Sequence, residues 1–289
     1  MIIVTGTKRS GTSMWMQILE AAGYAVLGEP FPRDWAATIR AANQNGFFES
    51  PWRHGVHPGT NPDPRTGQLL TPHATRRTAV KIFARGVTRT GLAYIQHCLV
   101  SLRHWREYRH SLERLYTIER ANKLALAQRR GHAGEVLPSL AHPPAVLEWW
   151  HDNFTLLRDA HERGYPLRLI SYDAVLREPK RRVREVLDWL GGGLIEPSVA
   201  AVQHALRTQH HERAPREDSG LTRTQEAVFD ELYTRVDQAA RIDGAFLRRL
   251  EVVHGQLAGA IAQAEKRARD ERRRARNVAR AALQGRAKH

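Results

Sequence analysis

Cysteine is nearly absent from this chain: Cys98 is the only one in 289 residues. No intrachain disulfide can form, which excludes a disulfide scaffold and fits a reducing compartment. Long apolar runs are missing too. No stretch of 18 consecutive apolar residues occurs, so no transmembrane helix is expected. The first residues read as a strand leading straight into a loop, which leaves no room for a signal peptide, and a cytoplasmic location is expected. No internal repeat is apparent, and no zinc-finger, RNP or other nucleic-acid motif is found. Acidic residues are scarce beside basic ones: 30 Asp and Glu against 45 Lys and Arg, a formal net charge of +15. That excess is concentrated. Residues 265–288 hold ten basic and three acidic side chains, a run that reads as a solvated helix face or a surface for an anionic partner.

What is present suits an enzyme. With 42% hydrophobic and 26% charged residues, the chain can bury a sizeable core in one α/β domain with an added helical element. Ile2, Ile3 and Val4 form a β-branched run of the kind found in buried strands. A loop from Gly6 to Gly11 follows, and a helix starts near Thr12. Glycines let backbone N–H groups approach an anion, and a helix N-terminus adds partial positive charge. The spacing Gly6-x-x-x-x-Gly11 matches a P-loop, but Thr12 stands where an NTP-hydrolysing loop carries lysine. The cations come earlier, at Lys8 and Arg9.

Thr5-Gly6-Thr7-Lys8-Arg9-Ser10-Gly11-Thr12-Ser13 resembles the 5′-phosphosulfate loop of sulfotransferases that use 3′-phosphoadenosine 5′-phosphosulfate (PAPS). A second segment is similar to the family's 3′-phosphate site, where a strand ends in arginine and a serine follows about two helical turns on. Here these are Arg103 and Ser111, with His104-Trp105 replacing the Asp or Pro that many members carry after the arginine. A guanidinium offers a planar fork to phosphate oxygens and the hydroxyl adds a donor. Three weaker segments agree in order. They are Asn43 to Glu49, the strand Ala79-Val80-Lys81-Ile82-Phe83, and the turn Tyr172-Asp173-Ala174-Val175-Leu176 before Pro179. The resemblance covers about residues 1–215.

The resemblance implies sulfuryl transfer from PAPS to an acceptor hydroxyl of a carbohydrate or other small metabolite, leaving adenosine 3′,5′-bisphosphate, with no metal expected. Lys8, Arg9, Ser10, Gly11, Thr12, Ser13, Arg103 and Ser111 are the implied cofactor ligands, and Arg9 and Lys81 the catalytic cations. The histidine base of many cytosolic members is missing, since Phe83 occupies its place. Glu29 is the first choice as base, with Glu49 close behind and His57 next. Two other classes stay open: a P-loop kinase using ATP and Mg²⁺, and a nucleotide-binding module with a basic anion-binding tail. No specific nucleic-acid partner is expected.

Strand and helix alternate along the chain, the pattern of a parallel sheet of about five strands with helices on both faces. Strands are expected near 2–5, 24–27, 79–83, 97–102 and 166–171, and helices near 12–22, 33–44, 87–95, 105–129, 144–163 and 180–190. Residues 1–220 form the α/β domain in this reading and 221–289 a helical, basic C-terminal extension. The Pro- and Gly-rich stretch 53–75 reads as a long loop near the acceptor site, in the position of a lid. Beyond residue 220, two helices are expected, 226–240 and 244–283. Phe246, Leu250, Val253, Leu257, Ala260 and Ala264 make a narrow apolar seam on the second, and Val228, Leu232 and Val236 face it. Such a hairpin docks on the core or on a second copy of the chain.

Overall fold

The computed structural model describes residues 1–32, 36, 40, 43–129, 142–203 and 219–286. Five strands form one all-parallel sheet: β1 (Ile2–Thr5), β2 (Ala25–Leu27), β3 (Thr78–Lys81), β4 (His97–Leu102) and β5 (Leu167–Ser171), in the order β2-β3-β1-β4-β5. β1 lies at the centre, with Ile3 level with Val80 on one side and Cys98 on the other. The chain turns one way after β1 and the other way after β4. In open α/β sheets, ligand crevices form outside the strand ends at such a reversal.

Helices cover both faces because the strands are apolar on both. Ile2, Val4, Ala79 and Leu99 pack with α1 (Thr12–Ala21), α6 (Pro179–Trp189) and α7 (Ile195–Ala200). Ile3, Val80, Cys98 and Val100 point the other way, towards Leu156 of α4 (Ala145–Arg163). Alternate residues of each strand thus enter different layers. The remaining helices are α2 (Ala84–Val87), α3 (Trp105–Arg129), α5 (Tyr172–Arg177), α8 (Arg223–Asp237) and α9 (Gly244–Arg286). No described helix is long and apolar enough to cross a membrane.

The strands and the long helices fall close to where the sequence puts them. Three expectations need correction. The helix expected near 87–95 is instead α2, ending at Val87, and a separate 3₁₀ turn at Leu92–Tyr94. Gly91, with ψ 134°, is extended and separates the two, and Gly86 inside α2 packs so closely on the Gly55 backbone that an added Cβ would lie 2.7 Å from the Gly55 nitrogen. The seam of α9 passes through buried Ile261, Ala268 and Ala275, while Ala260 is exposed and Ala264 half-buried. A step of four from Leu257 keeps the larger side chain on the stripe. Loop 53–75 is irregular as expected, but it folds on itself. Asn61 bonds the backbone of Leu70 in both directions, at 2.8 and 2.9 Å, and Val56 and Leu70 enter the core beside α2. The helix expected near 33–44 falls mostly on residues outside those described.

The C-terminal hairpin docks on the chain's own core. Val228, Phe229, Leu232 and Val236 of α8 and Phe246, Leu250, Val253 and Leu257 of α9 share one apolar cluster with Leu102, Trp105, Tyr108, Trp149 and Trp150. Phe229 stacks on Trp150 with ring centroids 4.4 Å apart.

Candidate functional site

The loop after β1 is shaped by three residues with positive φ. Gly6 has φ +142°, and a Cβ there would lie 2.3 Å from the Ser101 carbonyl oxygen. Gly11 has φ +97° and sits against the Tyr172 ring at 2.6 Å from its notional Cβ. Both positions exclude any other residue. Arg9 adopts φ +67°, a left-handed conformation that costs a non-glycine residue about 1–2 kcal/mol. Arg103 offsets this by donating from Nη1 to the Arg9 carbonyl at 3.2 Å. Ser10 turns inward: its hydroxyl donates to the Thr7 carbonyl at 2.7 Å, and its own carbonyl accepts from Ser101 Oγ at 2.6 Å. The loop therefore delivers its chain into α1, whose first turn carries no acidic residue. That helix start is a site of partial positive charge.

A cleft of about 330 Å³ opens over the loop at the carboxyl ends of β1, β3 and β4. On its β4 side, Arg9 Nε and Arg103 Nη1 both donate to Ser111 Oγ, at 3.3 and 3.2 Å. Glu107 holds Arg103 Nε at 2.8 Å, and the Tyr172 ring lies 5.1 Å from the Arg103 guanidinium. No carboxylate lies within ion-pair distance of Arg9 among the described residues. Burial first, then the charge of Arg103, draws the Arg9 guanidinium down to about 10, with Tyr172 opposing and Arg114 adding to the fall. Two guanidinium groups on one hydroxyl, with one carboxylate between them, leave positive charge that an anion would neutralise. Arg114, also on the cleft wall, adds a third cation from α3.

On the β3 side, Lys81 Nζ meets Glu49 Oε1 at 2.6 Å and also donates to the Phe47 carbonyl. Burial draws the Lys81 ammonium below its usual range, and Glu49 pulls it back up. Glu49 Oε2 is buried and has no hydrogen-bond partner among the described residues, with Arg53 Nε 4.0 Å away. A cation and a carboxylate thus stand together beside Phe83, across the cleft from the arginines.

Of the residues expected from sequence, Lys8, Arg9, Gly11, Thr12, Ser13, Glu49, Lys81, Arg103 and Ser111 all line this one cleft. Ser10 serves the loop's internal bonding instead. Glu29 pairs its backbone with Glu49, at 3.0 and 3.1 Å, yet its side chain is exposed and off the cleft wall. His57 and the rest of loop 53–75 do not line the cleft either, so the expectation of a lid gains no support from the geometry. Lys8 reaches sideways, with Nζ 3.4 Å from both Glu148 Oε1 and the Tyr116 hydroxyl.

Three contributors were not assigned a role from sequence. Tyr172 packs on both Gly11 and Arg103 although only its turn was singled out. Arg114 lies three residues after Ser111, on the same helical face, and that spacing could have flagged it. The Glu148 tether of Lys8 crosses from a distant helix and left no local signal. Comparison with protein-family models and with curated proteins returned no match to this chain.

Proposed function

We propose that this chain is a PAPS-dependent sulfotransferase acting on the hydroxyl of a carbohydrate or other small metabolite. The observation that carries the reading is the convergence of Arg9 and Arg103 on Ser111 beside a glycine loop with no P-loop lysine. The residues present fit a nucleotide with two separate anionic groups, a 3′-phosphate and a 5′ end. Gly6 and Gly11 let the loop close tightly against Ser101 and Tyr172, and the buried Arg103 and half-buried Arg9 guanidiniums call for negative charge beyond that of Glu107.

In this reading Arg103 and Ser111 hold the 3′-phosphate, and Arg9, Thr12, Ser13 and the loop N–H groups hold the 5′ end. PAPS supplies a sulfuryl group on a phosphate leaving group. Arg9 and Lys81 are the cations available where negative charge gathers on the departing oxygen, so they favour the transition state over the ground state. Glu49, held in the cleft by Lys81, is the carboxylate assigned here to take the acceptor's proton. The acceptor oxygen gains the SO₃ group and loses that proton, and adenosine 3′,5′-bisphosphate departs.

Thermal-shift measurements with adenosine 3′,5′-bisphosphate, AMP, and ATP with Mg²⁺ test the proposal. The bisphosphate should raise the melting temperature most. Greater stabilisation by ATP with Mg²⁺ would make the chain a P-loop kinase instead.

A further inference from the structure

Helix α8 touches the turns on both sides of Arg103 through a single stripe of residues. Asp230 Oδ1 accepts from Trp105 Nε1 at 2.6 Å and from Arg106 Nη1 at 3.4 Å, and lies 3.5 Å from His104 Nε2. Glu226, one turn earlier, meets Arg106 Nη2 at 3.3 Å. These contacts grip residues 104–106, the segment that follows β4. Tyr233, three residues after Asp230, packs its ring edge-on against His104 at 4.9 Å between centroids, and its hydroxyl donates to Asp173 Oδ2. Asp237, one turn further, accepts from Ser171 Oγ and from Arg177 Nη2. These contacts grip residues 171–177, the segment that follows β5.

Arg103 lies between the two gripped segments. Its backbone leads into His104, and its guanidinium faces the ring of Tyr172, the residue before Asp173. Residues three, four and seven apart on a helix share one face, so Glu226, Asp230, Tyr233 and Asp237 form one row. The row is anchored from below by Phe229, which stacks on Trp149 and Trp150 and meets Trp105 edge-to-face. Trp149 closes the arrangement by donating from Nε1 to the Arg103 carbonyl at 2.8 Å.

We infer that α8 is a splint for the Arg103 anion site, with Asp230 and Tyr233 as positioning residues that act through His104–Trp105 and through Tyr172–Asp173. The inference also explains why His104 and Trp105 stand where a turn-forming Asp or Pro would serve: this turn is held from outside by α8. A bidentate guanidinium contact depends on orientation, so loosening either turn weakens the grip on an anion without removing any ligand. The identity of that anion as a 3′-phosphate rests on the sulfotransferase reading.

Calorimetric titration of the full chain with adenosine 3′,5′-bisphosphate and with AMP provides the test. Asp230 is half-exposed on a helix that tolerates alanine, and Tyr233→Phe removes one hydroxyl only, so both variants keep the fold. Each should lose about five- to tenfold in affinity for the bisphosphate while AMP binding stays within about twofold. Asp230→Asn, which keeps an oxygen to accept from Trp105, should lose less. In an Arg103→Ala background, Asp230→Ala should cost nothing further, because the group it positions is gone. Unchanged bisphosphate affinity in both variants, or equal losses for the two nucleotides, would overturn the splint and leave the cofactor reading standing. A wild-type protein that does not distinguish the bisphosphate from AMP would overturn both.

Discussion

Glu49 and Glu29 show how much depends on a few ångströms at the residue scale. Their backbones are bonded to each other, yet only Glu49 is drawn into the cleft by Lys81. On the proposed sulfotransferase reading, Glu49→Gln should lower sulfuryl transfer by on the order of 10²-fold with cofactor affinity nearly constant, while Glu29→Gln should leave turnover close to wild type. Mass-confirmed product formation by both variants decides between them, and the reverse ranking would return the role to Glu29. Arg103→Ala should cost roughly 2–5 kcal/mol of binding to adenosine 3′,5′-bisphosphate and little to AMP, because it removes the partner of a buried phosphate charge. A third residue gives a pH effect. Burial, then the charge of Glu148, pushes the Asp152 carboxyl up to about 7, against a partial pull from Arg85. Between about pH 4 and pH 7 the folded state therefore holds a proton that the unfolded chain has released, so stability falls as pH rises through that window and levels off above it. Asp152→Asn mimics the protonated form. It should raise the melting temperature by roughly 2–4 °C at pH 8 and leave it unchanged near pH 4; a gain at both values would point to packing instead of ionisation.

At the scale of elements, the strand–loop–helix unit at the N-terminus was legible because its determinants are local. β-branched residues mark β1, two glycines mark the loop, and the apolar stripe of Trp15, Met16, Ile18 and Leu19 marks α1. The break-up of the segment expected as one helix over 87–95 was not legible. The extended Gly91 separates α2 from the 3₁₀ turn, and the close approach of Gly86 to Gly55, residues 31 apart in sequence, leaves no local pattern. The start of α8 is again local. Thr222 accepts from the Gln225 backbone N–H at 3.3 Å, and the Gln225 side chain accepts in return from the Thr222 N–H at 3.0 Å. Thr222→Ala should therefore cost about 1 kcal/mol in global stability, measured by urea denaturation. Thr222→Ser should recover most of that loss. If α8 splints the Arg103 site, fraying its first turn should also weaken bisphosphate binding slightly, since Glu226 lies within that turn.

At the scale of the whole molecule, the C-terminal helices are continuous with the core of the α/β unit. Residues of β4, α3, α4, α8 and α9 belong to one apolar cluster. Removing residues 221–289 would strip Phe229, Leu232, Phe246 and Leu250 from three buried tryptophans, so that truncation should not yield a folded protein. Truncation after residue 264 is different. It loses buried Ala268 and Ala275 and the contact of Glu265 with Arg85, but it keeps the larger seam residues and every cleft residue described above. That shortened chain should fold and bind adenosine 3′,5′-bisphosphate as the full chain does. Scanning calorimetry of the full chain should show a single transition, because the cluster crosses the boundary near residue 220. Two resolved transitions would show that the hairpin melts on its own.

The sequence by itself determined the alternation of strand and helix, the glycine loop, and the candidate cations Arg9, Lys81 and Arg103, because each is written in neighbouring residues. The tertiary structure alone decided how these groups meet. β1 pairs with β3 on one side and β4 on the other, and that register carries Lys81 and Arg103 to opposite walls of the cleft. It also decided that Lys8 turns towards Glu148, that Glu49 is drawn inward while Glu29 is exposed, and that α8 comes to rest on the Arg103 turn. Such contacts join residues separated by tens to more than a hundred positions. They arise from sheet pairing and core packing, where the chain's order in sequence is exchanged for proximity in space.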